Sequence, residues 1–154
     1  SRITGSDLLP QFTAAAPVDL FGMRVSGAGK WLADDRINSY EDLPQQQMHT
    51  ELAARRVYLH PYRWTSLGLA LLEAMHLGMP VVAVAATEAA ETIPPGAGVV
   101  STRLTVLVEA ISAFIADPER ARQAGIEARR AAKERYSLER FLSAWNDLLE
   151  EVVR

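Results

Sequence analysis

The sequence predicts an α/β domain, a doubly wound parallel sheet with helices on both faces. Three observations predict it. Short β-branched or apolar runs alternate with helical patterns along most of the chain, and that alternation implies right-handed βαβ units. The strand-like runs are almost continuously apolar, as strands covered on both faces must be. At 154 residues, 49% of them hydrophobic, the chain fits one domain with a sizeable core.

The elements follow in order. "SDLLPQFTAAA" (6–16) reads as a helix and "VDLFGM" (18–23) as a strand. The polar, Gly-containing stretch "RVSGAGKWLADD" (24–35) reads as an exposed turn, and "RINSYE" (36–41) as a weaker strand. "PQQQMHTELAA" (44–54) is helical, "RVYLHP" (56–61) a strand, "SLGLALLEAMHLG" (66–78) a helix and "PVVAVA" (80–85) a strand. "TEAAETI" (87–93) and "GVVST" (98–102) add a short helix and a last strand. After Thr102 three helices are expected. "LTVLVEAISAFIAD" (104–117) is amphipathic, and Pro118 opens a strongly charged helix. "SLERFLSAWNDLLEEVV" (137–153) carries Phe141, Leu142, Trp145, Leu148 and Leu149 as one apolar stripe.

Composition removes several classes of function. A net charge of −3 does not supply the basic field that a nucleic-acid surface needs. With no cysteine there is no disulfide, thiolate metal site or thiol nucleophile, which suits a reducing cytoplasm. No apolar run approaches the roughly 20 residues of a membrane span. No signal peptide opens the chain, and Ser1 reads as an artificial boundary.

Motif by motif, the sharper readings fail. His49, His60 and His76 are scattered without metal-ligand spacing, so no metal site is expected. There is no G-x-G-x-x-G after a strand and no G-x-S-x-G elbow, and "GAGK" (27–30) is too short for a P-loop. What remains is the turn between the strand ending at Pro61 and the following helix. Ligands of open α/β sheets bind beyond the carboxyl ends of the strands. A helix beginning there offers unpaired N–H groups and the positive end of its dipole to a phosphate. "TSLGL" (65–69) supplies the Thr65 hydroxyl, an N-cap at Ser66 and a close backbone approach at Gly68. Gly68 equally suits tight helix–sheet packing. Glu73 stands out in the same helix. It is a carboxylate in an apolar run with no ion-pair partner three or four residues away. A sugar diol would satisfy it, and so would a backbone N–H or a distant Arg.

Residues 60–91, "HPYRWTSLGLALLEAMHLGMPVVAVAATEAAE", resemble the donor-binding segment of glycosyltransferase family 4, retaining enzymes with the GT-B fold. "LLEAMHLGMPVVA" is the specific part, and the wording is most similar to enzymes of actinobacteria. "TGSDLLPQF", "VDLFGM" and "SLERFLSAWNDLLEEV" are similar to the family's first helix, second strand and closing helix. The resemblance implies a Rossmann-like domain, the C-terminal, nucleotide-sugar-binding half of a GT-B enzyme. It further implies a missing N-terminal acceptor-binding domain, with 137–153 as the closing interdomain helix.

Carried over residue by residue, the family's second glutamate, which holds the ribose hydroxyls, falls on Glu73. Its first glutamate, which contacts the transferred sugar, falls on Thr65, so the carboxylate is replaced by a hydroxyl. The phosphate-contacting backbone falls on Leu67, Gly68 and Leu69. The pair after "PVVAVA" is Thr87-Glu88 where the family has Gly-Gly, and Thr87 equally reads as a plain N-cap. The family's phosphate-binding Lys falls on Thr4, and its Arg lies before Ser1, with Arg2 or Arg63 as substitutes. Tyr40 stands where the family holds the base, and equally reads as an ordinary packing Tyr. The implied reaction is metal-independent and cofactor-free. It moves a hexose from a nucleoside-diphosphate sugar to an acceptor hydroxyl with retention, and this chain alone is expected to be inactive. The rival expectations are a non-catalytic nucleotide- or sugar-binding module and a nucleotide-sugar epimerase of the same fold.

Overall fold

A computed structural model describes residues 3–25 and 34–153. The predicted turn over 24–35 and Arg2 therefore lie largely or wholly outside the described residues. The chain begins with a 3₁₀ turn at Ser6–Leu8 that runs into α1 (Leu9–Phe12). Five strands follow among the described residues: β1 (Val18–Gly22), β2 (Ile37–Glu41), β3 (Tyr58–His60), β4 (Val81–Val84) and β5 (Gly98–Ser101). The helices between and after them are α2 (Gln45–Ala53), α3 (Leu69–Leu77), α4 (Ala89–Thr92), α5 (Leu104–Ala116), α6 (Pro118–Tyr136) and α7 (Leu138–Val153). Every pairing is parallel, as the apolar runs predict. The weak strand at 36–41 forms, matched with Val18 opposite Ile37. Two expectations shift. The helix expected over 6–16 is broken into a 3₁₀ turn and one short α-helix. The one expected over 66–78 starts later, at Leu69.

The strands make two sheets, β1-β2 and β3-β4-β5, where the sequence leads one to expect one. Alternation along β4 divides the core. Val81 and Ala83 face Leu71 and Met75 of α3, Ala89 and Ile93 around α4, and Ala128 and Ala132 of α6. Val82 faces the other way, onto Leu8, Phe12, and Leu107, Ile111 and Phe114 of α5. Period-two strands between helical layers demand this arrangement. The small residues of α6 let it cross α3 closely. A Cβ on Gly125 would stand 1.9 Å from the Gly78 carbonyl oxygen. Gly78 itself ends α3 at φ 80°, a left-handed C-cap that suits glycine. Asp117 caps α6 by accepting from the Arg120 backbone N–H at 3.0 Å, with Pro118 at the first helical position.

Helix α7 differs from the others. None of its residues is buried, and Phe141, Leu142, Trp145, Leu148 and Leu149 are each about half exposed. The stripe read from the sequence is present, with Phe141 edge-on to Trp145 at 6.2 Å, but this domain does not cover it.

Candidate functional site

Parallel strands end at a common edge within each sheet, and the turn after β3 carries the chain from His60 into α3. Gly68 is the N-cap of α3, in extended conformation and without a side-chain cap. The cap is therefore Gly68 and not Ser66. Ser66 sits exposed on the turn, too early to reach the first helical N–H groups. The Leu71 and Leu72 N–H groups bond back to the Gly68 carbonyl at 3.0 and 3.4 Å. Those of Leu69 and Ala70 come before any such bond within the helix. Leu69 is 77% exposed, so the helix start lies open, while Leu67 turns inward onto the β4 core.

Glu73 is not the buried, solitary carboxylate that its sequence context suggests. It is about one-third exposed, and His49 on α2 stands opposite, with Nε2 3.7 Å from Glu73 Oε1. Tyr58 of β3 lies half-buried beside it. Burial pushes its phenol well above the ordinary range, and the nearby Tyr62 and Glu73 add to that. Glu73 and Thr4 line the same cavity of about 570 Å³, together with Ala70, Pro61 and Tyr62. Glu73 lies five positions after Gly68, about 7.5 Å along the axis. A phosphate at the helix start and a sugar diol at Glu73 are thus within the span of one nucleotide.

The other predicted residues are placed as follows. Arg63 donates from Nη1 to Asp7 at 2.8 Å, and that bond holds Asp7 below its usual value. Thr65 is half-buried on the turn before Gly68. Thr87 and Glu88 are exposed on the β4–α4 turn, and Glu88, not Thr87, is the N-cap of α4. Thr87 has φ 46°, an uncommon state for a β-branched residue, so this turn is locally strained at the ligand-facing edge. Tyr40 is stacked on Phe21 at 4.7 Å, with the Arg55 guanidinium 4.7 Å from its ring centre. Arg55 also binds Asp19 and Glu51, so Tyr40 belongs to a packed cluster between the strands and α2.

Sequence reasoning undervalued His60. It ends β3 at 2% exposure, its Nδ1 has no hydrogen-bond partner among the described residues, and a Cβ on Gly68 would meet its Cε1 at 3.4 Å. Burial draws its pKa down from 6.5 to about 4. A neutral imidazole with an unsatisfied nitrogen thus lies directly beneath the helix start. The readable signal was its position, the last strand residue before the Pro61 turn. Among the described residues no group of three or more His, Asp or Glu gathers in metal-binding array.

Residues 28–131 match the family model of the glycosyl transferases group 1. The chain belongs to this family. No curated protein matches it. Among solved structures, this group 1 domain is similar to sucrose-phosphate synthase from Thermosynechococcus elongatus, with a TM-score of 0.85 and 23% identity over 99% of this chain and 43% of that one. It is also similar to Anabaena HepE in complex with UDP-glucose, with a TM-score of 0.81 and 20% identity over 98% of this chain and 46% of that one. A third likeness is to WaaG, a glycosyltransferase of lipopolysaccharide biosynthesis, with a TM-score of 0.71 and 20% identity over 87% of this chain and 40% of that one. At these identities the likeness is one of fold, that of GT-B glycosyltransferases. The group 1 domain spans less than half the length of each of these three neighbours. Among the described residues no helix is long and apolar enough to cross a membrane.

Proposed function

We propose that this chain is the donor-binding half of a retaining glycosyltransferase of family 4, of the actinobacterial type, working in the cytoplasm. The full-length enzyme moves a hexose from a nucleoside-diphosphate sugar to an acceptor hydroxyl. One observation carries this reading. The open N-terminus of α3 and Glu73 lie on one helix at nucleotide spacing, and Glu73 shares its cavity with Thr4. Transfer requires stabilisation of the charge that develops on the departing diphosphate. The Leu69 and Ala70 N–H groups and the helix dipole supply it in fixed orientation. Glu73 accepts from the ribose hydroxyls and fixes the nucleotide. Thr65, just ahead of the helix, hydrogen-bonds the sugar, and the Thr87-Glu88 turn after β4 is assigned to the same sugar. Uridine is the first base to test, because HepE was solved with UDP-glucose.

The acceptor side and the catalytic geometry belong to an N-terminal domain. The exposed stripe of α7 is proposed to pack against it, since an uncovered apolar patch of this size marks an interaction surface. A second reading has one observation behind it. Thr65 replaces a carboxylate, and the Arg63 guanidinium is already engaged by Asp7, as suits a module that binds nucleotide sugars without transfer.

The test is a titration of the 154-residue chain with UDP, GDP and ADP, followed by backbone amide chemical shifts. One nucleotide should move the Leu67–Ala70 amides selectively, with or without EDTA. No response to any of the three would overturn donor binding. A response that EDTA abolishes would overturn the metal-free account.

A further inference from the structure

His49 has no part in the transfer chemistry described so far. It belongs to α2, a helix none of whose residues is buried, so core packing does not explain it either. Its ring is about one-third exposed, yet the Nε2 end is tucked inward, 3.7 Å from Glu73 Oε1 on α3. That is too long for a hydrogen bond. The nitrogen is nevertheless buried and has no hydrogen-bond partner among the described residues. A buried polar atom of this kind calls for one. Among the described residues His49 is also the only basic side chain within ion-pair distance of Glu73. The two side chains meet from opposite sides. Glu73 lines the cavity with Ala70 and Tyr62, whereas His49 lies outside that lining. His49 instead lines a shallow groove between α2 and α3, with Gln46, Thr50 and Leu77. It thus reaches Glu73 from behind, and the cavity face of the carboxylate stays open.

We propose that His49 is a positioning residue, whose Nε2–H takes one oxygen of Glu73 from the α2 side and fixes the carboxylate in the rotamer that faces a ribose diol. The inference rests on the donor-binding reading of Glu73. The chemistry allows both contacts at once. An ionised carboxylate only accepts hydrogen bonds, at about four lone-pair sites. A vicinal diol fills two of them, so one donor from behind does not compete with it. That donor has to be an Nε2–H, because an unprotonated Nε2 would set its lone pair against the carboxylate. Glu73 is itself about one-third exposed, which leaves its side chain free to rotate and close the 3.7 Å gap. Ordering one long side chain costs about twofold to tenfold in affinity. A carboxylate already held by His49 has lost that freedom before the ligand arrives.

Two measurements test the proposal. The first needs no nucleotide. At pH 9, above the ordinary histidine range, the nitrogen-15 shifts of the His49 ring should place its proton on Nε2; a proton on Nδ1 would overturn the proposal. The second is calorimetry with whichever of UDP, GDP and ADP binds, and with its 2′,3′-dideoxy form. His49→Ala should weaken the nucleotide about fivefold and leave the dideoxy form unchanged. His49→Gln, whose amide N–H can stand in for Nε2–H, should keep most of the affinity. Equal weakening of both nucleotides by His49→Ala would overturn the proposal, by reducing His49 to a packing contact between α2 and α3. So would a His49→Ala chain that binds as the unaltered one does, or a His49→Gln chain as weak as His49→Ala. An unaltered chain that binds none of the three, or binds the dideoxy form equally well, would instead overturn the reading of Glu73, and the role of His49 with it.

Discussion

Glu73 was legible as an anomaly but not in its surroundings. Periodicity shows a carboxylate in an apolar helix; it cannot show that His49 approaches from α2 or that the cavity leaves the carboxylate partly exposed. His60 reverses the case, an ordinary strand-end residue in sequence whose burial and unpaired Nδ1 appear only in three dimensions. That burial has a consequence for stability. The folded-state pKa is about 4 against 6.5 when unfolded, so the unfolded chain binds the extra proton between these values. Stability is complete above about pH 6.5 and falls as the pH drops toward 4, by about 3 kcal/mol from this group. Urea unfolding at pH 7.5, 5.5 and 4.5 should show the loss, and His60→Phe should flatten the upper part of the slope. An unchanged slope in the variant would remove His60 as its cause.

Among the elements, β4 and β5 were readable because burial on both faces writes itself as unbroken apolar runs, whereas β2, Ile-Asn-Ser-Tyr-Glu with two exposed residues, gave only a weak signal. Helix starts were less readable. Ser66 is a better cap by residue type than Gly68, yet the turn geometry after Pro61 delays the helix to Leu69. The close crossing of α6 over α3 was invisible, because Gly125 in a charged helix looks like a weakness. Gly125→Ala makes the point testable. Helix propensity favours alanine by about 1 kcal/mol. The new Cβ, however, meets the Gly78 carbonyl oxygen at 1.9 Å, backbone against backbone. Overpacking should win, with a net loss of about 1–3 kcal/mol by denaturant unfolding; a stabilised variant would contradict the packing described. In α7 the stripe was read correctly, and its exposure can be measured. Trp145 is 48% exposed and Trp64 70%. In variants each retaining one tryptophan, iodide should quench Trp145 in the same range as Trp64. A shielded, blue-emitting Trp145 in the monomer would contradict an uncovered α7.

For the whole molecule, the α/β class followed from alternation, and the family assignment followed from the "LLEAMHLGMPVVA" run. The sequence did not reveal that the strands would divide into two sheets. Which strands pair is decided in three dimensions, and Val18–Gly22 and Tyr58–His60 carry no mark of it in sequence. Asp19, Phe21 and Leu59 from the two sheets line the same cavity as Glu73.

The central claim is that Glu73 holds the ribose hydroxyls of a nucleotide whose diphosphate rests on α3. Calorimetry of UDP and 2′,3′-dideoxy-UDP, each with the unaltered chain and with Glu73→Gln, tests it directly. Removing the ribose hydroxyls should weaken binding to the unaltered chain by about 1–3 kcal/mol, the range for hydrogen bonds to a charged group. Glu73→Gln should weaken UDP by a similar amount. The two losses should not add, because either change removes the same contact. Additive losses, or a variant that binds UDP as tightly as the unaltered chain, would contradict the claim.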